Sequence, residues 1–140
     1  MNMVLSYTRR VMRHFLKPKY MGKINDANAI AQVTNPICSD TMKVYLKIAK
    51  NKEGKEFIKD AKFQTLGCPA AIACSDVACG LIKGKTLAEA KKITKRDIIN
   101  KLGKLPPIKY HCSILGEDAI KKAIKNYENR KKDGFKSDSN

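Results

Sequence analysis

The sequence predicts an α+β domain, and two patterns carry that reading. In the first half, Met42, Val44, Leu46 and Ile48 alternate with Lys43, Tyr45, Lys47 and Ala49, the period-two pattern of a strand with one buried face. In the second half, Leu115, Ala119, Ile120, Ala123, Ile124 and Tyr127 recur at helical spacing and form the apolar stripe of a long closing helix. Strands first and helices afterwards argue α+β rather than a repeated βαβ unit. With 140 residues, 43% of them hydrophobic, the chain has enough material for one modest core. No internal repeat marks a second domain, and the domain is expected over residues 1–128.

Residues 4–16 read as a short amphipathic helix, on which His14 is expected to be an exposed side chain. Lys17-Pro18 ends it, because proline biases its predecessor away from helix. Residues 17–37 show no sustained period and read as an irregular, mobile arm. After the Met42–Ile48 strand, Asn51-Lys52-Glu53-Gly54 supplies a hairpin turn. Ile58, Ala61, Phe63 and Thr65 mark a second strand whose spacing implies a bulge near Lys59-Asp60. Residues around 30–35 and Ile108-Lys109-Tyr110 compete to supply a third, edge strand. Pro69 suits the first position of a helix, which then runs to Lys83 with Ala71, Cys74, Ala78, Leu81 and Ile82 on one side and Gly84 to cap it. Thr86-Leu87-Ala88-Glu89 has capping-box spacing. Thr94 caps a further helix to about Leu102, closed by Gly103. Leu105-Pro106-Pro107 is a rigid extended link. Residues 129–140, charged and small, read as a disordered basic tail.

The formal charge of +16 raises nucleic-acid binding first. The lysines are scattered, however, and no aromatic cluster or glycine-rich clamp accompanies them, so the expectation is a solvated lysine-rich surface, without nucleic acid, that acidic protein partners can exploit. No apolar run approaches the ~20 residues that span a bilayer, so no membrane association is expected. The first 24 residues hold several arginines and lysines and no acidic side chain, which is also the pattern of an organelle transit peptide. They run without a linker into the domain, and a docking helix is the preferred reading.

Five cysteines, Cys38, Cys68, Cys74, Cys79 and Cys112, cannot all pair within one chain. No secretory-signal pattern opens the chain, so reduced thiols in a cytoplasmic setting are expected. Cys74 and Cys79 lie in an alanine-rich helix and read as small buried hydrophobes. The other three have distinctive contexts: Cys38-Ser39-Asp40, Gly67-Cys68-Pro69 and His111-Cys112-Ser113. No CxxC pair is present, which argues against an ordinary zinc ribbon. Cys68 and Cys112 adjoin helix starts, where unpaired N–H groups favour the thiolate, the form that binds metal and attacks sulfur donors. Three thiolates with Asp40 or His111 as a fourth ligand suit zinc and also a 2Fe–2S cluster. A non-thiolate fourth ligand exchanges more readily, a defect in a permanent electron carrier and an advantage for a cluster that must leave.

These residues resemble the IscU/NifU-type iron–sulfur cluster assembly scaffolds, the NifU N-terminal domain family, from about Tyr7 to Tyr127. The strongest matches are Cys38-Ser39-Asp40 with Met42-Lys43, Phe63-Gln64-Thr65-Leu66-Gly67-Cys68, Lys83-Gly84-Lys85-Thr86-Leu87, and Leu105-Pro106-Pro107-Ile108-Lys109-Tyr110-His111-Cys112-Ser113-Ile114-Leu115. The resemblance implies an IscU/SufE-like fold: a three-stranded antiparallel sheet, helices on one face and the cysteines at one tip. It implies a non-enzymatic scaffold that builds a transient 2Fe–2S cluster from iron and the sulfur of a cysteine desulfurase, then hands it to apo-proteins. It makes Cys112 the persulfide acceptor, Cys38 and Cys68 thiolate ligands, and Asp40 the labile ligand, with His111 as the alternative. An electron donor such as ferredoxin is a further implied partner. The segment Leu105, Pro106, Pro107, Ile108 and Lys109 resembles the one that an Hsp70-type chaperone binds in some members. A homodimer bridged by a cluster is compatible with the same site. Departures from the family are Ser39, often glycine there, Pro69 after Cys68, and the strong positive charge. Two alternatives stand beside this reading: a zinc-containing persulfide relay of SufU-like type, and a stable structural zinc or iron–sulfur protein.

Overall fold

The structure is a computed structural model that describes residues 8–35, 40–66, 69–103 and 110–132, with backbone alone at Pro69, Tyr110, His111 and 130–132. Cys38, Cys68, the segment Leu105–Lys109 and residues 133–140 therefore lie outside the described residues, as does the side chain of His111. In chain order the elements are α1 (Arg9–Leu16), β1 (Ala29–Thr34), β2 (Thr41–Lys50), β3 (Glu56–Leu66), α2 (Pro69–Ile82), α3 (Leu87–Ala90), α4 (Lys95–Leu102) and α5 (Tyr110–Lys132).

The three strands form one antiparallel sheet in the order β1-β2-β3. Its inner face is the one the alternation predicts: Met42, Val44, Leu46 and Ile48 are all buried. Their partners across the ladders, Ala31 and Ala29 on one side and Phe63, Ala61 and Ile58 on the other, are buried too. Lys47 pairs with Asp60 while Ile48 pairs with Ile58, so Lys59 is the extra residue of a β-bulge. The bulge explains why Ile58 and Ala61, three apart, face the same core. In the hairpin, Asn51 Oδ1 accepts from the N–H groups of Glu53 and Lys55 at 2.9 and 3.0 Å, and Gly54 takes the left-handed conformation with φ +81°. Of the two candidates for the third strand, residues 29–34 supply it. This corrects the expectation of an irregular arm through residue 37. Residues 20–22 are also ordered by hydrogen bonds, since Phe63 N–H donates to Tyr20 O and Gly22 N–H to Phe63 O, at 2.9 and 2.8 Å.

Helices α2 and α5 cover the inner face of the sheet, α5 over β1 and β2 and α2 over β3. Helix α2 departs from the one-sided stripe expected of it. Ala70, Ala71, Ala73, Cys74, Ser75, Asp76, Val77, Ala78, Cys79 and Ile82 are all buried, because α1, β3, α4 and α5 enclose it. Small side chains permit that close approach: a Cβ on Gly116 of α5 would come within 3.4 Å of Ile98 Cδ1 and 3.6 Å of Ala78 Cβ.

Helix α1 begins later than its pattern suggests, since Thr8 is extended and caps it, its hydroxyl accepting from Val11 N–H. It docks through the fully buried Val11. His14 is not the exposed side chain expected: its Nδ1 lies 2.6 Å from Oδ2 of Asp76, whose side chain is 1% exposed. Asp76 Oδ1 also accepts from Tyr20 N–H at 2.8 Å. A single buried carboxylate thus ties both α1 and the following arm to α2. No sequence period reveals such a long-range pair. The capping boxes of Thr86 with Glu89 and Thr94 with Asp97 are both formed. Glu117 fastens α4 to α5 by accepting from Lys95 N–H at 2.7 Å. Helix α5 continues through Lys132, so the expected tail from residue 129 is helical over its first turn.

Two outcomes follow for stability and reactivity. Phe63→Ala, at the fully buried centre of the inner face, should lower unfolding free energy by ~3–5 kcal/mol, whereas Ile30→Ala, 40% exposed, should change it by about 0.5 kcal/mol or less; urea midpoints at constant slope check both. Burial first, then the carboxylates of Asp76 and Asp60, push the Cys79 thiol far above the ordinary cysteine range. In the native chain Cys79 should therefore resist iodoacetamide and label only after denaturation, as peptide mass spectrometry would record.

Candidate metal centre

The sheet register gathers the candidate residues at one end. Thr34, the last residue of β1, pairs with Thr41, the first of β2, and Thr41 pairs with Leu66, the last of β3. Asn35 N–H donates to Asp40 O at 2.8 Å, so the chain on either side of the Cys38 segment is drawn together. Thr65 Oγ1 donates to Thr41 O and locks β3 to the same end. Cys68 follows Leu66 by two residues and directly precedes the first residue of α2.

Helix α5 brings Cys112 to the same end. Lys122 Nζ donates to Gln32 O at 3.0 Å and Asn126 Nδ2 to Ile30 O at 3.1 Å. The helix therefore runs antiparallel to β1, and its start points past Thr34. From Lys122 back to Cys112 is about 15 Å of helix, while Gln32 to Asn35 covers about 10 Å of strand, so Cys112 stands level with the end of the sheet or beyond it. Helix α2 starts at that end as well and runs alongside α5, with Gly116 set against Cys74 and Ala78. Two helix N-termini thus lie side by side. Their first-turn N–H groups have no intrahelical acceptors and carry partial positive charge. Such a field generally favours thiolate over thiol at a helix start.

Among the described candidates, Asp40 is half-buried at the entrance to β2, and Cys112 is 2% exposed in the first turn of α5. Cys74, Cys79 and Cys112 form no disulfide. Cys74 and Cys79 are buried among core side chains of α2. Cys38, Cys68 and the His111 side chain lie outside the described residues, so the convergence is one of their flanking segments. Among the described residues alone, no three potential ligands cluster, as expected when three of the five candidates are not among them. The chemistry of the donor set fits a soft or borderline metal: thiolates from three segments, with a carboxylate and an imidazole close by in sequence.

Sequence reasoning missed the surroundings of this corner. Leu66, directly before Gly67-Cys68, is 78% exposed, and Met21 is 41% exposed. Together with Gly22, Gln32, Thr41, Lys43, Gln64 and Thr65 they line a shallow depression on the open face of the sheet. The signal was available, since Leu66 breaks the alternation that buries Ala61 and Phe63. No helix among the described residues is long and apolar enough to cross a membrane.

Known proteins share this sequence and this fold. The family described as the NifU-like N-terminal domain matches residues 6–134. The chain is 46% identical over 121 residues to the iron-sulfur cluster assembly scaffold protein IscU 1 of Archaeoglobus fulgidus, covering 86% of this chain and 76% of that protein. It is 40% identical over 130 residues to the iron-sulfur cluster assembly scaffold protein IscU of Azotobacter vinelandii, covering 91% and 98%. Among solved structures, the putative iron-sulfur cluster assembly scaffold protein for the SUF system from Fervidobacterium islandicum AW-1 superposes with a TM-score of 0.69 at 25% identity, covering 86% of this chain and 97% of that one. The N-terminal NifU-like protein of Brucella abortus shares the fold at TM-score 0.66 and 20% identity, covering 92% and 99%. A family match over nearly the whole chain, relatives at 40% and 46% identity and a shared fold agree, and this chain belongs to the NifU-like N-terminal domain family.

Proposed function

We propose that this protein is a scaffold on which a labile 2Fe–2S cluster is built from iron and desulfurase-derived sulfur and then passed to apo-proteins. The observation that supports this most is the meeting of the strand ends beside Cys38 and Cys68 with the helix start that carries Cys112. The names of the relatives, iron-sulfur cluster assembly scaffold proteins, agree with it. The cluster is cargo here, and the protein acts by holding its parts rather than by turning over a substrate.

The roles follow from donor chemistry. Cys38 and Cys68 are thiolate ligands. Cys112 is the sulfur acceptor as well as a ligand: its thiolate attacks the outer sulfur of a persulfide on the cysteine desulfurase. An S–S bond forms on Cys112 and another breaks, and the desulfurase cysteine leaves as thiolate. Each transferred sulfur then needs two electrons to become sulfide, supplied by an electron donor such as a ferredoxin. At 2% exposure, Cys112 is out of reach of a protein-bound donor, so delivery requires the side chains covering it to move. Asp40 is the labile ligand, a hard oxygen donor among soft sulfurs that gives way first when an acceptor competes. His111 is the alternative fourth ligand. Zinc fits the same donor set, and the segment from Leu105 to Lys109 is a docking surface for a partner such as an Hsp70-type chaperone.

Anaerobic reconstitution with iron, cysteine and a desulfurase should develop the visible absorption of a 2Fe–2S cluster. Serine at Cys38, Cys68 or Cys112 should abolish it. Persulfide accumulating on Cys112 with zinc retained and no such absorption would favour the relay reading instead. Asp40→Ala should retain the cluster and slow its loss to an apo-ferredoxin by at least about ten-fold, equivalent to ~1.4 kcal/mol. Unchanged or faster loss would remove Asp40 from the role given to it.

A further inference from the structure

A cleft between α1, the arm that follows it and the end of α4 is lined by Arg10, Arg13, His14, Lys17, Lys19, Asp76 and Lys101. Every lining residue is ionisable, and only one is acidic. That one, Asp76, is already engaged by His14 and by Tyr20 N–H. The long cations are exposed. Arg10 donates to Lys101 O at 3.2 Å, and among the described residues none of the five cations is paired with a carboxylate.

The bland explanation is that Arg13 and Lys101, in the last turns of α1 and α4, neutralise helix C-termini. Each terminus is worth roughly −0.5 charge, so two of them together with Asp76 still leave about +3 in the cleft. Like charges held this close repel one another, and nothing in the cleft offsets that repulsion. A counter-charge from outside would.

We propose that this cleft docks an Asp/Glu-rich segment of a partner protein. Three observations favour a carboxylate-bearing polypeptide over other polyanions. Among the described residues, the side chains that line the cleft include no hydroxyl to join the cations around a single phosphate. The adjacent aromatic ring is not available for base stacking: Tyr20 packs against Gly80, and Lys19 and Lys83 both sit 5.8 Å from its centroid. The cations come from two helices and a connecting arm, a spread that matches carboxylates distributed along a chain better than one compact anion. None of these residues is a candidate cluster ligand, so the inference stands apart from the scaffold reading.

The test uses the full chain and a fluorescently labelled short poly-glutamate peptide, followed by anisotropy. R13E/K17E/K101E alters the cleft. K50E/K52E/K55E makes the same change in net charge on the exposed β2–β3 hairpin. The expected result is binding that weakens with salt, falls at least about ten-fold in the cleft variant and changes no more than about two-fold in the hairpin variant. Equal losses in both variants would overturn the proposal, since net charge alone would then explain binding. Tighter cleft-dependent binding of tripolyphosphate or of a DNA oligonucleotide than of the peptide would overturn it too. Should the circular dichroism of the charge-reversed variant show unfolding, R13Q/K17Q/K101Q is read in its place, and binding as tight as in the unaltered chain would again overturn the proposal. Cluster formation from free iron and sulfide in R13E/K17E/K101E should match the unaltered chain, which keeps failure here distinct from failure of the scaffold reading.

Discussion

The register of the three-stranded sheet is the constraint on which the rest of the molecule depends. Thr34, Thr41 and Leu66 form one row across β1, β2 and β3. A slip of a single residue in either ladder would turn a buried row such as Met42, Val44, Leu46 and Ile48 toward solvent. Several fully buried apolar side chains resist it, each contributing about 1.5–3 kcal/mol on burial. The same register sets where the strands end. Core packing far from the corner therefore determines which segments meet there, and α5 adds Cys112 because its own register against β1 is held by Lys122 and Asn126.

The corner joins features that oppose one another. Helix N-termini favour thiolate, whereas burial of Cys112 disfavours any charge that lacks a partner. On the proposed reading, a metal or cluster would resolve the conflict by supplying positive charge directly to the sulfurs. On the same reading, a ligand set that includes one exchangeable oxygen or nitrogen donor would hold the cargo by a margin small enough for an acceptor to reverse.

Much of this was legible in the sequence, and the reasons are local. Alternation from Met42 to Ile48, the three-residue spacing between Ile58 and Ala61, and the Thr86–Glu89 and Thr94–Asp97 pairs each act within a few residues, so pattern and structure agree. Strand β1 was harder to read. Ala29, Ala31 and Val33 are small or medium-sized, and their alternation is weak until Val44 and Met42 are seen opposite them. The apolar side expected of helix α2, Ala71, Cys74, Ala78, Leu81 and Ile82, did not include Ser75 and Asp76, which are polar and yet buried. Ser75 is satisfied one turn back, donating to Ala71 O, while Asp76 is satisfied by His14 and Tyr20, long-range partners that no single-sequence pattern encodes. The candidate ligands were found through their immediate neighbours and the family resemblance. The meeting of the segments that flank them is a property of topology, which spacing along the chain does not reveal.

The central claim is that sulfurs from three distant segments hold the same inorganic cargo. An anaerobic crystal structure of the reconstituted full chain, with data at the iron edge, tests it most directly. The account predicts anomalous iron peaks of a single cluster bonded by Sγ of Cys38, Cys68 and Cys112, with one oxygen or nitrogen donor completing the set. Iron bound elsewhere, or held by only one of these cysteines with the other two turned to separate faces, would contradict it.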